Sequence, residues 1–130
     1  MTYILYIMNK FYSVPIDRRL AEAERILVKY PGRIPVILEC HNRSKLPPLE
    51  QKKFLLPADI TMRDFQKILI QRLKVEPTTS IYLFAEQCDK KEKKTHALLS
   101  GSQTAADVYQ DWKNDDKFLY IYYNTEDTFG

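Results

Sequence analysis

Glycine is scarce in this chain: Gly32, Gly101 and Gly130 are the only three among 130 residues. A P-loop or a dinucleotide-binding loop needs clustered glycines so that backbone amides can wrap phosphate, and both are excluded. Cysteine and histidine are as thin. Cys40 and Cys88 cannot build a disulfide scaffold. With His41 and His96 they make four possible zinc ligands, but no C-x-x-C or H-x-x-x-H spacing pairs them. No metal and no cofactor is expected. Long apolar runs are missing too. The opening run, Tyr3 to Met8, is six residues, against the ~20 that span a bilayer. It lacks the basic flank and the small-residue cleavage site of a signal peptide. The expectation is a cytoplasmic protein with reduced thiols.

What is present is ordinary globular composition, 45% hydrophobic and 28% charged, at the length of one domain. Lys+Arg 20 against Asp+Glu 17 is too small an excess to argue for nucleic acid by itself. The charge is unevenly placed: residues 105–130 hold two basic and six acidic side chains, while the basic excess lies before them. Lys90, Lys91, Lys93 and Lys94 read as a solvated loop, or else as a phosphate-binding patch.

No catalytic constellation stands out. Cys40 and His41 are neighbours at a strand end, so their side chains point to opposite faces. Cys88 and His96 flank the lysine-rich loop with no glycine-rich oxyanion turn beside them. Asp115 and Asp116 lie past a helix end and are expected to be solvated. The chain reads as a non-enzyme.

Periodicity marks three helices and four strands. Leu20, Ala23, Leu27 and Tyr30, widened by Ile26, place a helix over Ile16–Lys29. Ser13 is its expected N-cap, Pro15 sits just inside its start, and Pro31-Gly32 ends it. Thr61 with Asp64 resembles a capping box and opens a helix to Leu73, with Phe65, Ile68, Leu69 and Leu73 facing inward. A third helix spans Thr104–Lys113. Strands are expected at Arg33–Glu39, Lys52–Leu56, Ser80–Glu86 and Phe118–Tyr123. Pro35 marks an edge or a ladder gap in the first. The last is apolar or aromatic throughout, so it reads as central and buried on both faces. The fold class is α+β, a sheet with a helix across one face.

Three ordered motifs then carry a resemblance. Tyr30-Pro31-Gly32-Arg33-Ile34-Pro35-Val36-Ile37, Lys52-Lys53-Phe54-Leu55-Leu56-Pro57-Ala58-Asp59-Ile60-Thr61 and Phe118-Leu119-Tyr120-Ile121-Tyr122-Tyr123 are joined by a Phe129-Gly130 end. Together they resemble the autophagy ubiquitin-like modifiers, the GABARAP-type or autophagy-related protein eight family. The resemblance covers about Pro15–Leu73 and Thr104–Gly130. It implies a ubiquitin-like β-grasp, a four-stranded mixed sheet with a packed helix, plus extra N-terminal helices. The domains it implies are a helical extension over residues 1–32, a ubiquitin-like domain over 33–123 and a flexible conjugation tail over 124–130.

The resemblance also implies a function. Gly130 is the carboxyl donor: an activating enzyme adenylates it, a conjugating enzyme takes it as a thioester, and the amine of phosphatidylethanolamine receives it. A processing and deconjugating cysteine protease is a further implied partner, and the autophagosome membrane the implied location of the conjugate. A terminal glycine has no Cβ, which suits its carboxylate to a narrow cleft. The second implied function is docking autophagy receptors whose short motifs carry an aromatic residue, two spacers and an aliphatic residue. Such a peptide adds a strand to the sheet edge at Lys52–Leu56. Glu22, Ile26, Pro35, Lys53, Leu55 and Phe118 line the implied aromatic pocket. Phe54, Leu56, Pro57, Ile60, Phe65 and Ile68 line the implied aliphatic one, although Phe65 and Ile68 also read as core. Lys52, Lys53 and Arg72 are placed to attract acidic residues around the motif. Gln51 departs from the basic residue common there. Two alternatives stand beside this reading: an unconjugated peptide-binding module, and a basic domain that binds RNA or lipid headgroups.

Overall fold

The computed structural model describes residues 14–41, 46, 47, 49, 51–88 and 93–125. Ser13, the Tyr3–Met8 run, Lys90, Lys91 and Gly130 lie outside the described residues.

Helix α1 spans Ile16–Lys29, as its periodicity predicts. Its N-cap is Pro15, which offers no side-chain cap; the Pro15 carbonyl accepts the N–H groups of Arg18 and Arg19 at 3.0 and 3.1 Å. Gly32 follows at φ 83, a left-handed turn that suits a residue without Cβ. Strand β1 (Arg33–Cys40) leaves that turn and β2 (Lys53–Pro57) returns beside it. Helix α2 (Met62–Leu73) starts at Thr61, whose hydroxyl accepts the Asp64 N–H at 3.2 Å. It stops where Lys74 turns left-handed at φ 57. Strands β3 (Ile81–Cys88) and β4 (Lys94–Leu98) form a hairpin. Helix α3 (Ala105–Trp112) opens on a reciprocal box: the Thr104 hydroxyl accepts the Asp107 N–H, and the Asp107 carboxylate accepts the Thr104 N–H, both at 3.2 Å. Strand β5 (Leu119–Thr125) follows.

The sheet runs β2-β1-β5-β3-β4. The β1–β5 pair is parallel and the others antiparallel. The expected mixed sheet therefore has five strands, not four. The addition is β4, whose residues Lys94 to His96 are polar and exposed, so the pairing lives in the backbone rather than in any apolar alternation. His96 is accordingly a strand residue, not a loop residue.

Alternation sorts the side chains onto two faces. Ile34, Val36, Leu38 and Cys40 of β1 join Phe54, Leu56, Leu83, Ile121 and Tyr123 on one face. Helix α2 covers it with Met62, Phe65, Leu69 and Leu73, and α3 with Ala105 and Val108. The opposite face carries a smaller cluster of Ile37, Phe118 and Tyr120 under Ala23 and Ile26 of α1. Strand β5 lies in the middle and is buried on both faces, as its composition implies.

Pro35 turns out to mark a gap. The Leu38 N–H bonds toward β2, to the Lys52 carbonyl at 2.7 Å, so by alternation the Pro35 nitrogen faces β5. Pairing with β5 starts only at Val36, and no donor is missed there. Asn114 does a related job by side chain. Its amide donates to the Glu86 carbonyl at 3.0 Å and its oxygen accepts the Cys88 N–H at 2.8 Å. It stands in for a strand residue past the end of the β3–β5 ladder. Tyr123 ties down the β1–β2 connection: its hydroxyl donates to the Pro47 carbonyl at 3.0 Å and accepts the Leu49 N–H at 3.2 Å.

Candidate functional site

The site is built on β2, an edge strand paired with β1 alone among the described residues. Register places Pro35 opposite Leu55 and Ile37 opposite Lys53. These side chains face α1, whereas Phe54 and Leu56 face α2. Five of the six residues expected to form the aromatic pocket meet here around a sixth, Phe118. Pro35 and Phe118 are buried on this side of the sheet. Ile26 packs against the Phe118 cluster from α1. Leu55 is 37% exposed on the rim. Glu22 of α1 reaches β2, where the Lys53 ammonium donates to its two oxygens at 2.7 and 3.2 Å.

The same alternation turns the backbone of Lys53 and Leu55 outward. Their carbonyls are held by side chains: Gln51 Nε2 donates to Lys53 O at 2.8 Å, and Arg33 Nη1 to Leu55 O at 3.4 Å. An added strand has to displace both donors. The departure at Gln51 thus has a structural consequence that its charge alone does not reveal.

The residues expected to line the aliphatic pocket divide. Phe54, Leu56 and Phe65 are core, at 7%, 5% and 0% exposure, so half of that set is closed inside the domain. The Phe54 and Phe65 rings meet edge to face with centroids 6.1 Å apart. Pro57, Ile60 and Ile68 are half-buried and form what surface the set retains. The Arg72 guanidinium lies 5.5 Å from the Phe54 ring centre and donates to Gln51 Oε1 at 3.4 Å.

The cations expected to attract acidic peptides are already engaged. Lys52 bonds Glu39 at 3.1 Å, Lys53 bonds Glu22, and Arg72 bonds Gln51. Burial raises the Glu39 carboxyl above its usual range, and the nearby Lys52 offsets this only in part.

The remaining candidates are placed as follows. The Cys40 thiol points to the carbonyls of His41 and Leu46, at 3.5 and 3.7 Å. His96 Nε2 lies 3.6 Å from Glu86 Oε1. Among the described residues, no group of three or more His, Cys, Asp and Glu side chains is arranged to hold a metal. No helix among them is long and apolar enough to cross a membrane. Asp115 is exposed as expected, but Asp116 is not: it is 1% exposed and pairs with Arg19 at 3.0 Å. The local sign was Asp-x-Phe, since a carboxylate two residues before an N–H can close a turn onto it.

Residues 18–130 match the family described as autophagy protein Atg8, ubiquitin-like. Autophagy-related protein 8 of Mycosarcoma maydis is 40% identical over 114 residues, which cover 88% of this chain and 89% of that protein. Autophagy-related protein 8d of Arabidopsis thaliana is 39% identical over 116 residues, 89% of each chain. The crystal structure of Trypanosoma brucei ATG8 matches with a TM-score of 0.74 at 28% identity, over 88% of this chain and 91% of that one. A β-grasp sheet in this strand order, an edge strand flanked by α1, and relatives aligned over almost the whole length agree: the chain belongs to the Atg8 family of autophagy ubiquitin-like proteins.

Proposed function

We propose that the chain is a modifier joined through Gly130 to phosphatidylethanolamine, and that in this form it docks aromatic-x-x-aliphatic peptides along β2. Family membership supports the first half, since the match runs to residue 130. Strand β5 runs on to Thr125, so the tail expected from residue 124 begins at 126 instead; its five residues, if extended at ~3.3 Å each, span roughly 17 Å past the sheet. ATP activates the glycine carboxylate as an acyl adenylate with release of pyrophosphate. A cysteine thiolate displaces AMP to give a thioester. The lipid amine then displaces the thiol and forms an amide. The product carries two acyl chains, and at ~0.8 kcal/mol per buried CH₂ these hold a domain on a membrane where one chain does so only marginally.

The observation that carries the second half is Leu55: an apolar side chain, 37% exposed, at the centre of an open sheet edge with a buried aromatic floor beside it. The backbone of an added strand supplies affinity there, and the α1–β2 gap receives its aromatic residue. Engaged cations at Lys52, Lys53 and Arg72 exchange their internal acceptors for acidic residues of the peptide.

The test is reconstitution with the activating and conjugating enzymes, ATP and phosphatidylethanolamine vesicles, read by intact mass. A lipid adduct that is absent from a Gly130→Ala chain is expected. No adduct, with enzymes active on a known substrate, sinks the conjugation half and leaves the peptide-binding module to be tested alone. For that half, calorimetric titration with a Trp-x-x-Leu peptide is expected to show binding that Leu55→Asp abolishes; binding unaffected by Leu55→Asp sinks it.

A further inference from the structure

We infer that Asp116 is the positioning residue of the aromatic pocket, fixing helix α1 at the distance from β2 that a docked ring requires. This rests on the docking reading above and goes beyond it, because Asp116 lies outside the pocket and touches no peptide.

The carboxylate joins two parts of the fold. Oδ1 accepts the Phe118 N–H at 2.9 Å. Oδ2 accepts Arg19 Nη1 at 3.0 Å and the Tyr120 hydroxyl. Phe118 is the pocket floor, and Tyr120 is its neighbour in the same small cluster. Arg19 belongs to α1, on the same helical face as Glu22 and Ile26, three and seven residues on. One buried group therefore holds both the floor of the pocket and the helix that makes its wall.

Among the ion pairs of α1 with the described residues, the Arg19–Asp116 pair is the most deeply buried. Ala23 is its only buried residue, so apolar packing constrains the helix weakly. Two more ion pairs tie it down, Glu22 to Lys53 at 2.7 Å and Glu24 to Lys117 at 3.2 Å. Both are solvated, with side chains 29–53% exposed, and such pairs set geometry poorly. The Arg19–Asp116 pair is different, at 13% and 1% exposure. A charge that deep is costly unless its partner stays in place, so the helix cannot drift without leaving Asp116 unpaired. A pocket wall held this way tells ring sizes apart. A wall released from it does not.

The experiment uses the full chain and two variants, Asp116→Asn and Arg19→Gln. Arg19→Gln removes the weak Arg19 bond to the Tyr120 hydroxyl at 3.4 Å but keeps the bonds of Asp116 to Phe118 and Tyr120, and it carries the test if Asp116→Asn does not fold. Amide exchange is first measured in the peptide-free proteins, and faster exchange across Ile16–Lys29 is expected in the variants. Calorimetric titration then follows with Trp-x-x-Leu, Phe-x-x-Leu and Trp-x-x-Val peptides, at a temperature where every protein is folded. The Trp-over-Phe preference is expected to change about tenfold, while the Leu-over-Val preference stays as in the parent. An unchanged Trp-over-Phe ratio overturns the inference. So does an equal loss for all three peptides, which is what general destabilisation produces. A parent chain that binds none of the three overturns the docking reading and this inference with it, and is distinguished because it is read before any variant.

Discussion

Leu55 and Leu56 are adjacent in sequence and opposite in consequence. Leu56 is 5% exposed in the core under α2, whereas Leu55 is 37% exposed on the α1 side. Truncating a core leucine costs the transfer of the lost carbons plus the cavity, about 2–5 kcal/mol. At about 4 °C per kcal/mol for a chain of this size, Leu56→Ala is expected to lower the melting temperature by roughly 8–20 °C. Leu55→Ala leaves no closed cavity, because water reaches the space, and is expected to cost about 1 kcal/mol. Peptide affinity runs the other way. Full burial of a leucine contributes about 1.5–3 kcal/mol, so covering the 37% left exposed is worth roughly 0.5–1 kcal/mol, about three- to sixfold in affinity. Leu55→Ala is therefore expected to weaken docking several-fold with little loss of stability. The assays are calorimetric melting and peptide titration on both variants. If Leu55→Ala is the more destabilising of the two, the β1–β2 register is wrong by one residue, because a one-residue slip exchanges the two faces.

Further outcomes follow from the caps, the buried hydroxyl and the raised carboxyl. Thr104→Ala is expected to cost about 1 kcal/mol in urea unfolding through loss of the α3 box, and Thr61→Ala a similar amount at α2. Tyr123→Phe removes the hydroxyl that bonds Pro47 and Leu49; it is expected to cost about 1 kcal/mol and to speed exchange of the Leu49 amide. Glu39 binds its proton more tightly in the folded chain than its ordinary value of 4.5 implies, because burial outweighs Lys52. The stability tied to it is therefore full below that value and is lost as pH rises through the higher folded value. Glu39→Gln is expected to flatten this stretch of the stability–pH curve; a parallel curve for parent and variant refutes the assignment.

The helices were legible because their starts and stops are local. Thr61, Thr104, Pro31 and the 3.6-residue stripes lie within one or two turns of what they control. The face of α1 was less legible: Leu20, Ala23, Leu27 and Tyr30 form the stripe, yet Ala23 and Ile26 pack on the sheet and Tyr30 is 41% exposed. Its docking is largely polar, and apolar periodicity does not register that. β4 was hidden for a related reason, since Lys94, Thr95 and His96 pair through backbone and leave Leu99 as the nearest core residue. The proposed docking edge was read from motif resemblance, and the residues it named for the aromatic pocket lie on the α1 side of the sheet or on α1 itself. The resemblance did not separate surface from core in Phe54 and Leu56, which strand register does, whereas the helical spacing of Phe65 had already read as core. For Asp116 only the turn to Phe118 had a local sign; its ion pair had none, because Arg19 is 97 residues away.

The Asn114 amide at the end of β3 has a consequence for how the chain can change. It satisfies the Glu86 carbonyl and the Cys88 N–H where β5 no longer runs alongside. Among the described residues, Asn114 takes the place of β5 at that point. Chain inserted between Cys88 and Lys94 leaves both Asn114 bonds in place, and doubling a loop's length adds only about 0.6 kcal/mol of closure entropy. The lysine-rich stretch lies in sequence between β3 and β4, where added length is cheap. A change of charge there falls three strands from β2, beyond the ~8–10 Å over which salt leaves surface charges to act on one another.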